Sequence, residues 1–329
     1  MRRGWDGILT QHKTLGAYIL IGLGACLWGT LGPLAKDLFA MGLSPITIVF
    51  WRLFIAMLVI GTGLALYNAR LLVISRHSIL YFVLFGLISQ GIYNMLYFTA
   101  IDLTNVSTAV TLLYTAPAFV TVLARFIFRE PLTTLKILGV IVSLTGCVLV
   151  VGGLEGKMTF TVAGVTAGLG AGLTYALYTL FSKGAVSEYN SWTVVFYSLA
   201  FGALFILPFA DPGEVFTYGT APGLWFRLAG VALVGTVGAC GLYIMGLSKG
   251  AESSRASIVA TLELVVAVLL GCLVSGETLT GTRWLGTALV CISIFLVYIR
   301  KGSPENKQDN TAREPSAGKY LTNKKAADA

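Results

Sequence analysis

Residues 106–150 read VSTAVTLLYTAPAFVTVLARFIFREPLTTLKILGVIVSLTGCVLV. Two apolar segments of helical length flank a short charged elbow, Arg129-Glu130-Pro131-Leu132. The same pattern returns 147 residues later without a gap. Identical residues occupy the matching positions at Ser107 and Ser254, Ala109 and Ala256, Glu130 and Glu277, Leu132-Thr133 and Leu279-Thr280, Leu138-Gly139 and Leu285-Gly286, and Leu149-Val150 and Leu296-Val297. Earlier in the chain, the same shift matches Trp28 to Tyr175, Lys36 to Lys183 and Ser44 to Ser191. We therefore interpret the chain as one unit of about 147 residues present twice.

The chain is too apolar for a soluble protein. Of its 329 residues, 56% are hydrophobic and only 12% are charged, whereas soluble domains carry about 25% charged residues. Several uncharged runs approach or exceed the roughly 18–20 residues with which a helix crosses a bilayer. These runs are Leu53–Ala69, Ile79–Ile101, Phe160–Phe181, Tyr189–Ala210 and Leu228–Ser248. The composition predicts an all-α protein that crosses the membrane many times.

Ten spans fit this pattern, at 15–35, 44–67, 78–101, 105–128, 133–153, 161–182, 190–210, 224–248, 253–275 and 282–300. With the N-terminus on the cytoplasmic side, eighteen Lys and Arg residues lie on that side and four lie on the other. Because positive residues collect on the cytoplasmic side of a membrane protein, both termini are predicted to be cytoplasmic, in the cell membrane.

A unit of five spans crosses the membrane an odd number of times, so its second copy must enter the membrane inverted. The sequence thus predicts ten transmembrane helices arranged as two inverted five-helix repeats, at residues 15–153 and 161–300. Residues 1–14 form a cytoplasmic N-terminus, and the polar tail at 301–329 is predicted to be a disordered cytoplasmic segment. Inverted repeats are typical of secondary transporters, because two similar halves can rock about a central site.

Several residues together carry a family resemblance. Trp28-Gly29 in the first span, Arg52 in the second and the REPL elbow at 129–132 resemble the EamA-type, ten-helix branch of the drug/metabolite transporter superfamily. The GETL elbow at 276–279 and the Leu-Gly pairs of spans 5 and 10 do so as well. The resemblance covers about residues 15–300. It implies ten helices, a central cavity between the halves, and export or exchange of small metabolites, often amino acids, without specifying a substrate.

Three residues are candidates for bends or hinges within the spans. Pro117 removes a backbone hydrogen bond in the fourth span, and Gly29 and Pro33 weaken the outer end of the first. Interrupted spans are where transporters bind and gate, although kinks also occur in inert bundles. Related second halves often carry Glu-Pro in the ninth span, whereas Glu263 here precedes Leu264. We therefore expect a weaker bend there than at Pro117.

Two ionisable side chains lie deep within spans. Arg52 is about 12 Å into the second span, and Glu263 is near the middle of the ninth. A charged side chain at the bilayer centre costs ~2.5–3.5 kcal/mol even on the lenient insertion scale, so each should face a cavity or a partner. The functional interpretation is that Arg52 binds a carboxylate and that Glu263 binds an amine or carries a proton. The alternative is a structural pair, or an Arg52 side chain that reaches back to the outer interface.

Polar and aromatic side chains also line up on single helix faces. In the third span, Gln90, Tyr93, Asn94 and Tyr97 follow the i, i+3, i+4, i+7 spacing of one face. Tyr175 and Tyr178 do so in the sixth span, and Trp28 is a candidate cavity wall. Such faces bind an amphipathic solute well, because tyrosine offers both an apolar ring and a hydroxyl. The alternative is hydrogen bonding between helices, worth ~0.6 kcal/mol per contact, or simple packing for Trp28.

The sequence lacks the residues that several other classes of protein would need. His12 and His77, the two histidines, lie at the predicted cytoplasmic edge, so the spans hold no Ser–His pair for an intramembrane protease. The phosphate-loop motif of ATP-driven pumps is absent. All five cysteines fall in apolar spans, so no disulfide, metal or cofactor is predicted. The basic residues sit where topology signals belong, so no nucleic-acid partner is expected.

These patterns favour a secondary transporter that exports or exchanges small metabolites by alternating access, with amino acids as the first candidates. An intramembrane enzyme, or a receptor or scaffold that transports nothing, is the alternative. The expected partners are a small-molecule substrate and the lipid bilayer. Proton coupling through Glu263 and a homodimer formed through spans 5 and 10 are further expectations.

Overall fold

The computed structural model describes residues 2–152, 158–218, 222–275 and 279–298, which form helices joined by short turns and contain no strand. In chain order the helices are α1 Arg2–Gly29, α2 Leu31–Ala40, α3 Pro45–Asn68, α4 Arg76–Gly86, α5 Tyr93–Leu103, α6 Val106–Leu113, α7 Ala116–Ile127, α8 Thr134–Val150, α9 Val162–Ala185, α10 Ser191–Ile206, α11 Glu214–Thr217, α12 Pro222–Ala232, α13 Ala239–Ser248, α14 Ser253–Ala260, α15 Leu262–Ser275 and α16 Gly281–Tyr298. The tail at 301–329, predicted to be disordered, lies outside the described residues.

Eight helical segments of the described chain are long and apolar enough to cross a membrane. They are Leu15–Ala40, Pro45–Leu72, Arg76–Leu103, Val106–Ile127, Ser191–Phe209, Gly223–Ser248, Ser253–Val274 and Gly281–Tyr298. The two other predicted spans correspond to α8, which has 17 residues, and to the glycine-rich α9, which has 24. The prediction of an all-α protein with many membrane spans is therefore confirmed.

Short polar side chains set where many of these helices begin. The Ser44 hydroxyl accepts a hydrogen bond from the Thr47 backbone N–H, and Pro45 occupies the first position of α3. The side chains of Asn105, Thr133 and Thr161 cap α6, α8 and α9 in the same way. Each cap satisfies a backbone N–H that the first helical turn leaves free, which matters most where water is scarce.

Three of the predicted spans are interrupted, at Thr30 between α1 and α2, at Tyr114 and Thr115 between α6 and α7, and at Thr261 between α14 and α15. At each break a threonine hydroxyl donates to the carbonyl oxygen three residues earlier, at 2.7 Å from Thr30, 2.6 Å from Thr115 and 2.7 Å from Thr261. Each of these carbonyl oxygens also accepts a bond from the backbone N–H of the same threonine, at 3.2, 3.1 and 3.2 Å, so the hydroxyl group finds its own partner inside the protein. The break before Pro117 contains two non-helical residues, Tyr114 and Thr115. The break at Thr261 contains one, and no proline follows it.

Helices α8 and α16 cross closely through glycines. A Cβ on Gly286 would lie 2.6 Å from the backbone nitrogen of Val150, and a Cβ on Gly139 would overlap the side chain of Val297. Gly139 and Gly286 are 147 residues apart, and so are Val150 and Val297. The crossing therefore makes the same contact twice, with the roles of the two helices exchanged.

Gly286→Ala tests this crossing. The added Cβ would meet backbone atoms of α8 that cannot move aside, including the Gly146 carbonyl oxygen at 2.7 Å, and overpacking of this kind costs about 1–3 kcal/mol. We expect the apparent melting temperature of the detergent-purified protein to fall by several degrees. The control is Gly63→Ala, also within a helix, where a Cβ meets nothing within 4 Å. Equal melting temperatures for the two variants would contradict the close crossing.

Candidate functional site

A cavity of about 70 Å³, here named the inner chamber, lies where α1, α3, α9 and α15 meet the π-helical segments Leu87–Ile92 and Leu233–Gly238. Most of the residues singled out from the sequence line it together. They are Trp28, Arg52, Gln90, Tyr93, Tyr175, Tyr178 and Glu263. The structure thus brings side chains from widely separated parts of the chain to one place.

A larger cavity of about 450 Å³, the vestibule, joins the inner chamber to one end of the bundle. Both cavities share Trp28, Arg52, Tyr93 and Glu263, and the vestibule adds the remaining predicted pair, Asn94 and Tyr97. Its wall continues to Pro45 and Val106, the first residues of α3 and α6. We name this end of the bundle the Ser44 face, after the residue that precedes Pro45. The inner chamber is therefore open towards the Ser44 face.

Glu263 owes its position to the break at Thr261. It lies in the first turn of α15, where the helix dipole favours a negative charge. The Tyr175 hydroxyl donates a hydrogen bond of 3.1 Å to Oε2 of Glu263. A carboxylate is thus held at the chamber wall with one hydrogen-bond donor fixed on it and its remaining lone pairs available.

Arg52 enters the same chamber from α3. Its Nε atom is buried and has no hydrogen-bond partner among the described residues, and the described ion pairs do not join it to Glu263. A guanidinium group and a carboxyl group therefore line one small cavity without forming a direct ion pair. Such an arrangement is costly in a membrane interior unless a ligand or water lies between the charges.

Aromatic rings form a continuous layer at the bottom of the chamber. Trp28 contacts Tyr175, Tyr178 and Tyr243, with ring centroids 6.4, 6.0 and 5.0 Å apart. Tyr93 stacks on Tyr175 at 5.6 Å and on Tyr97 at 6.1 Å. We name these six residues the aromatic layer. It gives the chamber a rigid floor and one wall suited to an apolar group.

Beyond the aromatic layer the path ends. The next void has about 10 Å³ and is lined by Pro117, Val120, Thr179 and Ser257 among others. A cavity needs roughly 10–15 Å³ to hold a single water. The inner chamber is therefore closed on the side away from the Ser44 face.

A buried polar cluster seals that closed end, here named the Glu130 face. The Glu130 carboxylate accepts hydrogen bonds from the backbone N–H groups of Ser253 and Ser254, at 2.5 and 3.1 Å, and from the Ser254 hydroxyl. Lys136, only 1% exposed, lies 3.7 Å from Glu130 and 3.1 Å from Glu252. The elbow between α7 and α8 thus caps the N-terminus of α14.

These contacts also fix the protonation of Glu130. Burial by itself raises the pKa of this carboxyl group, but the hydrogen bonds from Ser254 and Ser253 and the charge of Lys136 outweigh burial, so the pKa is lowered from its ordinary value. A lowered folded-state pKa means that the stabilisation is present above the unfolded pKa and is lost as the pH falls through the folded pKa. The cap is therefore intact at neutral pH.

The other predicted residues have distinct surroundings. The Asn94 amide donates to the Gln90 carbonyl oxygen at 2.6 Å, so this donor serves its own helix and not the neighbouring helix that the structural alternative expects. Gly29 ends α1, and a Cβ there would lie 2.6 Å from the Glu263 carbonyl oxygen. Pro33 lies in the first turn of α2, and Pro117 in the first turn of α7.

Some residues of the inner chamber and the aromatic layer were not predicted from the sequence. Tyr243, on α13, shares a hydrogen bond of 2.8 Å with Thr179 and completes the aromatic layer. Ser89 and Thr236 line the inner chamber and are 147 residues apart. A serine or threonine within an apolar span carries no sequence signal of its own, so this pair is identified by the structure alone.

Comparison with known proteins agrees with this architecture. The model of the EamA-like transporter family matches residues 15–152 and 162–299. An uncharacterized transporter of Archaeoglobus fulgidus is 30% identical over 217 residues, which are 64% of this chain and 76% of that protein. The uncharacterized inner membrane transporter YicL of Salmonella typhimurium is 26% identical over 285 residues, covering 84% and 93% of the two chains.

Two further similarities extend over most of the chain. The uncharacterized transporter YwfM of Bacillus subtilis is 26% identical over 279 residues and covers 84% of this chain and 91% of that protein. A protein of known crystal structure superposes with a TM-score of 0.72 at 18% identity, over 85% of this chain and 95% of the other, and this likeness concerns the fold alone. Because the family model matches both halves, the resemblance inferred from the sequence is confirmed, and the chain belongs to the EamA-like transporter family.

Proposed function

We propose that this membrane transporter is a secondary carrier that moves small metabolites, with amino acids as the first candidates, by alternating access. The observation that carries the proposal is a chamber with one positive and one negative side chain that is open to the Ser44 face and closed to the Glu130 face. A carrier must present its site to one side at a time. This asymmetry of access is what one state of such a cycle would show.

The lining of the inner chamber supports a zwitterionic or amphipathic substrate. A ligand that carries both a carboxylate and an ammonium group could satisfy Arg52 and Glu263 together, which the protein itself does not do. The aromatic layer offers an apolar surface for the rest of the molecule. A solute with a single charge would leave one of the two side chains unpaired.

Repeated contacts support two inverted five-helix repeats, at 15–153 and 161–300. Trp28 and Tyr175 are equivalent positions of the two repeats, and they contact each other, as positions on a two-fold axis do. The packing of α1 on α13 has its counterpart in the packing of α9 on α5. The two π-helical segments also fall at nearly equivalent places in the repeats. Together with α8 and α9, the eight long apolar segments would make ten spans.

Charge asymmetry supports the orientation. The Glu130 face carries the elbows with the larger number of Lys and Arg residues, and by the positive-inside rule this face and both termini would lie in the cytoplasm. The inner chamber would then be open to the outside. Export would require the Glu130 face to open and admit substrate from the cytoplasm. Proton coupling through Glu263 and a homodimer through α8 and α16 remain predictions.

Glu263→Gln tests the site. The amide keeps the size of the side chain but removes the charge that would pair with an ammonium group or carry a proton. We expect saturable flux of at least one labelled amino acid into proteoliposomes containing the wild type, and at least about tenfold less with the variant. The panel contains aromatic, aliphatic and hydroxy amino acids and a nucleoside, each with and without a pH gradient.

Glu188→Gln, an exposed carboxylate on a turn far from the chamber, is the control for the loss of one negative charge. Unchanged flux and unchanged pH dependence in Glu263→Gln would refute a role of Glu263 in the transport cycle. Flux that responds to the pH gradient in the wild type alone would establish proton coupling.

Glu130→Gln tests the closed end. Loss of the carboxylate weakens the cap on α14 and leaves the buried Lys136 with less compensation, so the Glu130 face should open more often. The reporter is Ser257→Cys in a cysteine-free background, since Ser257 lies next to the void below the aromatic layer. We expect a membrane-impermeant thiol reagent, applied from the cytoplasmic side, to label it several times faster in Glu130→Gln.

Lys183→Met is the matched control for this measurement. Lys183 donates to the carbonyl oxygens of Leu247 and Ala251, at 3.1 and 2.9 Å, on the same face but within the second repeat. Its loss should lower stability without speeding the labelling. Equal labelling rates for wild type and Glu130→Gln would rule out Glu130 as a part of the closure.

A further inference from the structure

We propose that Arg52, Ser89 and Tyr178 form an anion subsite that binds the carboxylate of a substrate with a single anionic group, so that the substrate has a fixed orientation in the chamber. This inference rests on the proposed function and adds to it the polarity of binding and the charge class of the substrate. Ser89 is the new element. No feature of the sequence singles it out.

The first observation concerns three donors without acceptors. The Arg52 Nε, Ser89 Oγ and Tyr178 Oη atoms are all buried and have no oxygen or nitrogen partner among the described residues, and the Tyr178 hydroxyl has only the weakly hydrogen-bonding Cys240 thiol beside it. All three residues line the inner chamber, and Ser89 and Tyr178 are only 2% and 4% exposed. A buried donor without a partner is destabilising. Three such donors around one cavity therefore point to an acceptor that enters it.

The second observation is local backbone geometry. Ser89 belongs to the π-helical segment Leu87–Ile92, and its repeat counterpart Thr236 belongs to Leu233–Gly238. Single π-helical turns within α-helices are frequently found at functional sites. The Thr236 hydroxyl donates to the Val231 carbonyl oxygen at 3.2 Å, whereas the Ser89 hydroxyl has no such bond. At these equivalent positions, the Thr236 hydroxyl is therefore hydrogen-bonded within its own helix and the Ser89 hydroxyl is not.

The third observation is the balance of charge. Arg52 is the one cationic side chain among the described residues that line the inner chamber, and Glu263 is the one anionic side chain. A carboxylate carries one negative charge, which Arg52 compensates. A phosphate ester carries about −1.5 to −2 at neutral pH and would leave excess negative charge beside Glu263. The subsite therefore selects carboxylates over phosphate esters.

Arg52 and Glu263 each occur in only one of the two repeats. Much of the chamber lining is paired by the repeat, as Trp28 is with Tyr175 and Ser89 with Thr236. The counterparts of Arg52 and Glu263 are Leu199 and Ala116, so neither charge is duplicated. The carboxylate end of a substrate then faces Arg52, Ser89 and Tyr178, and its donor or cationic end faces Glu263 and Tyr175.

Ligand-induced thermal stabilisation of the full-length protein in detergent tests the subsite without any transport. The probes are L-leucine, L-phenylalanine and L-threonine, the amides of the same three amino acids, and glycerol 3-phosphate. We expect at least one free amino acid to bind more tightly than its amide, and glycerol 3-phosphate to give no stabilisation. Ser89→Ala should weaken binding of that free acid roughly tenfold and leave the affinity of its amide unchanged.

Two further variants separate the subsite from general damage. Ser89→Thr keeps the hydroxyl and should retain the preference for the acid over the amide. Thr236→Val removes a hydroxyl that its own helix already uses and should change the preference less than Ser89→Ala does. Equal weakening of acid and amide in Ser89→Ala, or no stabilisation by any of the three acids, would overturn the subsite.

The two proposals can fail separately. A preference for acid over amide that depends on Ser89, without flux in proteoliposomes, would uphold the subsite and refute the carrier cycle. Saturable flux with the same acid-to-amide ratio in wild type and Ser89→Ala would uphold the carrier and refute the subsite.

Discussion

The contact between the Glu130 carboxylate and the first residues of α14 joins the two halves of the chain at the closed end of the chamber. Glu130 comes from the elbow of the first half, and the N–H groups that it caps belong to the second half. The capped helix has eight residues and is therefore about 12 Å long. Thr261 follows it directly, and Glu263 begins the next helix. If the proposed cycle moves α14 away from Glu130, the start of α15 and the carboxyl group of Glu263 would move with it.

The three helix breaks at Thr30, Thr115 and Thr261 are compatible with a membrane interior. Backbone groups in a membrane must find partners inside the protein, and the threonine at each break supplies one. A break satisfied in this way can persist without proline, as α14 and α15 show. The same breaks turn helix termini towards the chamber, where charged groups are least costly. The positions of Trp28 and Glu263 at the chamber wall therefore follow from breaks in the local backbone.

Much of this arrangement could be predicted from the sequence, for physical reasons. Composition decides the membrane class, and the repeat offset locates equivalent positions. The cost of charge in a bilayer marks Arg52 and Glu263, and all nine predicted binding residues line the two joined cavities. Ser89 could not be found in this way, because a serine in an apolar span is marked only by the partner that it lacks. Tyr243 was missed because its own helix carries no polar residue at i+3 or i+4. The break at Thr261 was missed because a break of this kind needs no proline, so no residue in the sequence marks it.

The void of about 10 Å³ below the aromatic layer has an electrical consequence. A void of this size has no room for a file of waters. In the proposed carrier, much of the membrane voltage would then fall between the chamber floor and the Glu130 face. A unit charge that crosses a full 100 mV changes energy by about 2.3 kcal/mol. A substrate that leaves net charge in the chamber would therefore make the turnover of the protein sensitive to voltage, whereas a neutral zwitterion would not.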